Sequence, residues 1–290
     1  MRKFLALSEE DQSLLLHLHQ HIYLSRDFID SYIYNSAEKT KSAHEKSVYR
    51  RLKQLTDAGY ITSFAVPITA GSGRPSNIYT LNDFGVDTVE QLTGIKHWNY
   101  KWSKEPQIWY MHTLALAEIV KSFETYDPSR YVVKQFISEA KAHFKYYERN
   151  DISKKSEPKV IRPDGILIIG SPNSDENLGI MVEMEKSYAD KSGTIRKLKQ
   201  YNHFFGRVIE ENDQDLIKQF DEKVGFEHSI IEWRILFVGD NGSMGKRILR
   251  QLQGQESIVE LVATSKEEIL KDPYGDIYLH LGEPNTLSRM

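Results

Sequence analysis

Two short apolar runs that carry carboxylates constrain the fold of this chain more than any other feature. They occupy residues 162–169 and 180–186, and each is bounded by Gly, Pro, Asn or Asp, as short buried strands are. Side chains alternate faces along a strand, so Glu183 and Glu185 are expected on the same face. With Asp164 on the neighbouring strand, three acids can meet at one place on a sheet.

Such a cluster predicts a metal site. Buried carboxylates are unfavourable unless they pair with a cation or accept hydrogen bonds. Mg²⁺ and Mn²⁺ prefer oxygen ligands, so either ion fits a group formed by Asp164, Glu183 and Glu185. The alternative is structural: Pro-Asp pairs are common in turns, and acids on an edge strand often form a solvated face.

Composition limits the classes of function. The chain has 290 residues, 27% of them charged and 40% apolar, which predicts one large or two ordinary soluble domains. It contains no run of roughly 20 apolar residues, so we expect a cytoplasmic protein without a membrane partner. It has no cysteine, which excludes disulfides and thiolate metal sites. Because the net charge is −3, any contact with DNA must come from local basic patches.

The first ninety residues have the pattern of a small helical domain. Ser8 precedes three acids and a helical apolar stripe, which predicts a first helix. A second helix is expected from Ser25, and a third over 42–58 with Gly59 after its end. Strands at 60–66 and 77–81 flank a Gly-rich basic loop. This order resembles winged helix-turn-helix domains, which implies that double-stranded DNA is the partner.

The predicted third helix and the residues before it are strongly basic. Between Lys39 and Lys53 there are six positive charges and one acid, Glu45. A patch of this kind can meet phosphates while neighbouring side chains reach the major groove. The predicted DNA-binding residues are Lys46, Arg50, Arg51, Lys53 and Arg74 of the wing. A solvated helix face is the alternative, and winged helices also bind proteins.

The rest of the chain predicts a second domain around the two acid-bearing strands. Residues 95–107 lack periodicity and are predicted as a linker between domains 1–94 and 108–290. The second domain is expected to run helix, strand, strand, strand, helix, strand. That αβββαβ order resembles the PD-(D/E)XK nuclease superfamily, also called restriction-endonuclease-like. The implied fold class is α+β or α/β with a mixed central sheet.

Three short motifs narrow the resemblance. They are Arg-Pro-Asp at 162–164, Glu-Met-Glu-Lys-Ser at 183–187, and Lys-Leu-Lys-Gln-Tyr at 197–201. Their order after a winged helix resembles the plasmid replication-relaxation proteins, a group that includes the C-class mobilisation relaxases. The similarity extends over most of the chain, and it depends on order and spacing rather than on any one motif.

The resemblance implies a role for each site residue. Asp164 and Glu183 correspond to metal ligands, and Glu118 matches the place of an additional acid in many superfamily members. Glu185 stands where the superfamily has a lysine, and an acid cannot stabilise the negative charge of the reacting phosphate. The replacement cation is expected to be Lys197, one helical turn before Tyr201, with Lys199 and Lys186 as weaker candidates. The catalytic set is therefore Asp164, Glu183, Glu185, Lys197 and Tyr201, and the metal set is Asp164, Glu183, Glu185 and Glu118.

The function expected from these features is nicking of one DNA strand at a plasmid or mobile-element origin by metal-dependent hydrolysis. In this hypothesis Tyr201 orients DNA or Lys197 and does not attack the phosphate. One alternative is a non-catalytic origin-binding initiator or repressor, which the Glu185 replacement favours. Another is a restriction or repair endonuclease that cuts both strands, for which a homodimer is expected. Host replication proteins are further expected partners.

Overall fold

The chain divides into two units, Met1–Ala117 and Glu118–Met290. The computed structural model describes residues 5–35, 40–66, 76–95, 97–149, 156–185, 190–225 and 229–289. The domain boundaries predicted at 94 and 108 stay a prediction. No helix in these described ranges combines the length and the apolar character needed to cross a membrane.

The first unit combines helices with a three-stranded antiparallel sheet of order β1-β3-β2. Its elements are α1 (Glu9–His21), β1 (Leu24–Ser25), α2 (Arg26–Phe28), α3 (Lys41–Asp57), β2 (Ile61–Val66), β3 (Ser76–Leu81) and α4 (Asp83–Thr93). A π-helical turn, Ile29–Ile33, prolongs α2. The three expected helices and two expected strands are present, whereas β1 and α4 were not predicted. The Gly-rich loop with Arg74 lies outside the described residues, so the winged helix stays a prediction.

Local sequence signals explain how these elements begin and end. Ser8 caps α1: its side chain accepts a hydrogen bond from the Asp11 N–H, and the Asp11 carboxylate accepts one from the Ser8 N–H. The buried stripe of α3 is Val48, Leu52 and Leu55, as its periodicity predicts. Gly59 follows α3 with φ +84°, a conformation that favours glycine at the turn into β2.

Residues 97–109 contain no helix or strand, and they pack within the first unit. Trp102 is buried, and the Tyr23 hydroxyl donates to its carbonyl oxygen at 3.2 Å. The Ser103 hydroxyl donates to the Leu81 carbonyl oxygen at 2.7 Å. Helix α5 (Tyr110–Thr125) follows and contains the division between the units.

The second unit is built on a seven-stranded mixed sheet of order β12-β11-β10-β9-β8-β7-β4. Its elements after α5 are β4 (Val132–Ser138), β5 (Phe144–Arg149), β6 (Ser156–Ile161), β7 (Gly165–Gly170), β8 (Asn177–Glu185), α6 (Lys191–Phe205), α7 (Gln214–Val224), β9 (Ile230–Gly239), α8 (Gly242–Gln251), β10 (Glu260–Ser265), α9 (Lys266–Lys271), β11 (Tyr278–His280) and β12 (Glu283–Ser288). Strands β8, β9 and β10 are parallel, and the other pairs in the sheet are antiparallel.

The predicted fold class is confirmed as mixed α+β. Elements α5, β4, β7, β8, α6 and β9 follow one another in the αβββαβ order, with a β5–β6 pair inserted after β4. The order expected from the sequence does not include β5, β6, α7, β11 or β12. Strands β5 and β6 are only six residues long each, and they mix charged, polar and apolar residues without a regular alternation, as polar loops do.

Helix α6 is held against the sheet by an apolar face. Leu198, Phe204 and Phe205 of α6 are buried in one cluster with Met181 of β8 and Phe237 of β9. Since residues three and four apart lie on the same face of a helix, this packing also turns Lys197 and Tyr201 toward the end of β8.

Candidate active site

The three acids of the predicted cluster lie at one end of β7 and β8. Asp164 comes directly before β7, and its N–H donates to the Val182 carbonyl oxygen of β8 at 3.0 Å. Antiparallel pairing of Gly165 with Val182 continues from there. Asp164 therefore sits beside Glu183, whereas Glu185 is the last residue of β8.

Both carboxylate oxygens of Glu183 have a partner on α6. The Tyr201 hydroxyl donates to Oε1 at 2.5 Å, and Lys197 Nζ lies 2.6 Å from Oε2. Glu183 is only 1% exposed and Tyr201 is fully buried. The four-residue spacing of Lys197 and Tyr201 brings both side chains to the same carboxylate, so a buried acid is satisfied by one face of one helix.

The remaining contacts complete the site. Lys197 Nζ also lies 3.7 Å from Glu185 Oε1, so the two glutamates share a face as strand alternation predicts. Asp164 Oδ2 accepts a hydrogen bond from the Met184 N–H at 2.6 Å. Lys197 Nζ is 5.9 Å from the centre of the Phe237 ring, within range of a cation–π contact.

The charge states of the site follow from burial and from these neighbours. Burial raises the pKa of Glu183 to about 8, although Lys197 acts in the opposite direction. Burial lowers the pKa of Lys197, but the charges of Glu183 and Asp164 outweigh that effect and raise it overall. Burial and the neighbouring Glu183 raise the pKa of Tyr201 well above its usual value. At neutral pH Lys197 is therefore a cation and Tyr201 keeps its proton.

The carboxylates fit a divalent cation by the chemistry of their oxygens. Asp164 and Glu183 adjoin each other, and the negative charge of each raises the pKa of Lys197. The two carboxylates thus act together on one cation, as they would on a metal ion. Glu118 is placed differently, because it forms an ion pair with Lys266 of α9. Within the described ranges no three Asp, Glu or His side chains are already arranged as a metal-binding group.

The predicted DNA-binding residues of α3 separate into two sets. Lys46, Arg50 and Lys53 are exposed and share one face, opposite the buried stripe. Lys53 Nζ lies 3.1 Å from an Asp57 oxygen in an exposed pair that contributes little. Arg51 points inward: its Nε donates to Asp11 Oδ1 at 2.9 Å. The basic face of α3 is therefore Lys46, Arg50 and Lys53, without Arg51.

The profile of the family described as Replication-relaxation matches residues 15–219. The chain belongs to the Replication-relaxation family. The match includes α3 with its basic face, the three acids Asp164, Glu183 and Glu185, and the α6 residues Lys197 and Tyr201. Family membership supports a role in DNA processing. No curated protein sequence matches the chain.

Two solved structures of the restriction endonuclease FokI resemble this chain at 12% sequence identity. The first covers 92% of this chain and 44% of its own, with a TM-score of 0.29. The second, FokI bound to DNA, covers 90% of this chain and 43% of its own, with a TM-score of 0.26. The chain thus spans less than half of the FokI chains that it matches.

Two features of this family member's site were not predicted from the sequence. The Met184 N–H holds Asp164, a backbone contact that residue types and spacing do not reveal. Phe237 lies under Lys197 because it pairs with Glu183 across the parallel strands β8 and β9. The apolar run 235–238 marks a buried strand but carries no sign of its register against β8, so the contact could not be found from the sequence.

Proposed function

We propose that this protein nicks one strand of duplex DNA at a plasmid or mobile-element replication origin by metal-dependent hydrolysis. The observation that carries the proposal is the buried Glu183 carboxylate beside Asp164, held by Lys197 and Tyr201. Acids that adjoin a fixed cation at a strand end form the kind of site that can bind a divalent ion and stabilise a phosphate. Membership of the Replication-relaxation family supports DNA as the substrate.

In this proposal the residues of the chain have distinct tasks. Asp164 and Glu183 would hold Mg²⁺ or Mn²⁺, which supplies Lewis-acid chemistry at the phosphodiester. Lys197 provides the positive charge that Glu185 cannot, and its raised pKa keeps that charge in place. Tyr201 is a positioning residue, because its hydroxyl holds one oxygen of Glu183 and leaves the other to face Lys197.

A tyrosine nucleophile is not part of the proposal. Tyr201 is fully buried and its pKa is raised, so its hydroxyl neither reaches a DNA strand nor ionises readily. Water attacks phosphorus instead, the bond to O3′ breaks, and O3′ takes up a proton. The products are a free 3′-hydroxyl and a 5′-phosphate. Such a 3′-hydroxyl can prime a polymerase, which agrees with a replication role.

The basic face of α3 is proposed to bind the duplex. Lys46, Arg50 and Lys53 lie on one exposed side of a 17-residue helix, long enough to follow a major groove. Their charges are local in a chain whose net charge is −3. Phosphate contacts from this face would hold the protein on DNA in a salt-dependent manner.

The test is nicking of a supercoiled plasmid that carries the DNA flanking the gene, with and without Mg²⁺ or Mn²⁺. Asp164→Asn removes a charge and keeps the shape, so metal affinity and nicking should fall together while DNA binding persists. Asp87→Asn, at an exposed aspartate of α4, is the matched control and should behave as wild type. Equal Mn²⁺ affinity of wild type and Asp164→Asn in calorimetry would contradict the assignment of Asp164 as a ligand.

A non-catalytic origin-binding role is the second candidate. It is favoured by the contact of Lys197 Nζ with Glu183 Oε2 at 2.6 Å, which gives this buried oxygen a partner without a metal. A protein of this kind would bind the flanking DNA and leave the plasmid supercoiled with either ion. The same nicking experiment therefore separates the two candidates.

A further inference from the structure

Basic side chains from three elements converge next to the candidate active site. His143 precedes β5, and Lys145 lies within it. Arg162 follows β6, and Lys223 lies in the last turn of α7. We call these four residues the hairpin cluster, because β5 and β6 form its base.

Backbone pairing and side-chain hydrogen bonds fix the geometry of the hairpin cluster. Phe144 pairs with Ile161 across β5 and β6, so His143 and Arg162 are the next positions beyond that pair. The Gln219 side chain joins α7 to β5 twice: it accepts from the Lys145 N–H at 3.1 Å and donates to the Lys145 carbonyl oxygen at 3.0 Å. Lys223 Nζ donates to the His143 carbonyl oxygen. The cationic groups are therefore held together by the fold.

The electrostatics of the hairpin cluster show mutual repulsion. Burial, followed by the charges of Lys223, Arg162 and Lys145, lowers the pKa of His143. Burial, followed by Lys145 and Arg162, lowers the pKa of Lys223. Positive groups that raise one another's energy in this way are stabilised when an anion binds among them.

A purely structural role accounts for only part of the hairpin cluster. Lys223 makes its backbone hydrogen bond and lies 5.6 Å from the centre of the Phe144 ring, so it contributes to packing. Lys145 and Arg162, in contrast, are exposed. Both side chains reach the solvent, so their charges are accessible to an anionic ligand.

The hairpin cluster adjoins the site on two sides. Arg162 is two residues before Asp164, so at most about 7 Å of backbone separates them. The hairpin also packs on α6, since the rings of Phe144 and Phe204 are 5.3 Å apart. Helix α6 is the element that carries Lys197 and Tyr201. The hairpin cluster and the reacting groups are therefore carried by neighbouring elements of the second unit.

We infer that the hairpin cluster binds the phosphates of the DNA strand that enters the candidate active site. Duplex DNA carries one phosphate per about 3.4 Å along each strand, so a strand in the site necessarily presents further phosphates nearby. This inference rests on the proposed function for its substrate. It assigns DNA contacts to the second unit in addition to the basic face of α3.

The test compares two double variants of the full chain in DNA binding. Lys145→Gln/Arg162→Gln removes two exposed charges of the hairpin cluster. Lys271→Gln/Arg289→Gln is the matched control, because it removes one Lys and one Arg of the same unit that already pair with acids. Fluorescence anisotropy in EDTA gives the affinity of each protein for duplex DNA over a range of salt, without cleavage.

The expected result concerns the slope of log K against log salt concentration. For the cluster variant this slope should be flatter by roughly 1.8, about 0.9 for each lost contact, and for the control it should equal that of wild type. The melting temperature of the cluster variant should not fall, because the two substitutions relieve repulsion among the basic residues of the hairpin cluster. Equal salt slopes in wild type and the cluster variant would overturn the inference. The proposed function fails separately if wild type does not nick DNA while the cluster variant still shows a flatter salt slope than wild type. In that case this surface remains a DNA-binding site.

Discussion

Two adjacent arginines of α3 are expected to affect different properties when each is replaced by methionine: one the stability of the first unit, the other DNA binding. Arg51 forms an ion pair with Asp11, which is 0% exposed, and also donates to the Ala6 carbonyl oxygen at 2.7 Å. Arg50 is exposed on the basic face of the helix. Arg51→Met should therefore destabilise the first unit, whereas Arg50→Met should weaken DNA binding and leave stability unchanged.

The contacts of Asp11 set the magnitude. Removing one partner of a buried ion pair costs about 3–5 kcal/mol. The Tyr34 hydroxyl and the Ser8 N–H still donate to Asp11, at 2.6 and 2.7 Å, and Arg51 is partly exposed. We therefore expect a loss of about 2–3 kcal/mol for Arg51→Met. For a unit of this size that corresponds to a melting temperature lower by about 10 °C.

Differential scanning calorimetry measures the stability of both variants, and anisotropy below the melting transition measures DNA binding. Arg50→Met should stay within about 0.5 kcal/mol of wild type and flatten the salt slope by about 0.9. Asp11→Asn added to Arg51→Met should restore part of the lost stability, because it removes the unpaired charge. This reasoning would be refuted if Arg51→Met had the melting temperature of wild type, or if Arg50→Met had a melting temperature as low as that of Arg51→Met.

Two further predictions concern the candidate active site. The folded pKa of Glu183, about 8, lies above its usual 4.5, so stability from this group is complete below pH 4.5 and is lost as pH rises to 8. Wild type in EDTA should lose stability between pH 5 and 7 that Glu183→Gln does not lose, and melting curves of equal pH dependence would contradict this. Tyr201→Phe removes the hydrogen bond to Glu183 and should reduce nicking, yet nicked DNA from wild type and variant alike should run free of protein after denaturation. A denaturation-resistant adduct that disappears in Tyr201→Phe would establish a covalent mechanism.

Much of the architecture was predictable because its signals are local. The cap at Ser8, the stripe of α3 and the glycine after it depend on residues within one or two helical turns. The two acid-bearing strands are marked by alternation and by their Gly and Pro boundaries. The hairpin of β5 and β6 was not found in the same way, because its short, charged strands resemble loops until Phe144 and Ile161 are seen to pair.

The sequence by itself determined which residues are assigned to the proposed site: two glutamates on one strand face, an aspartate before the neighbouring strand, and a lysine one helical turn from a tyrosine. Only the tertiary structure decided their states. The packing of α6 on β8 joins Lys197 and Tyr201 to the two oxygens of Glu183, and burial then raises the pKa of that acid. Packing likewise turns Arg51 to Asp11 and leaves Arg50 exposed. Periodicity assigns a residue to a face of its own element, but burial and ion pairing depend on which distant element covers that face.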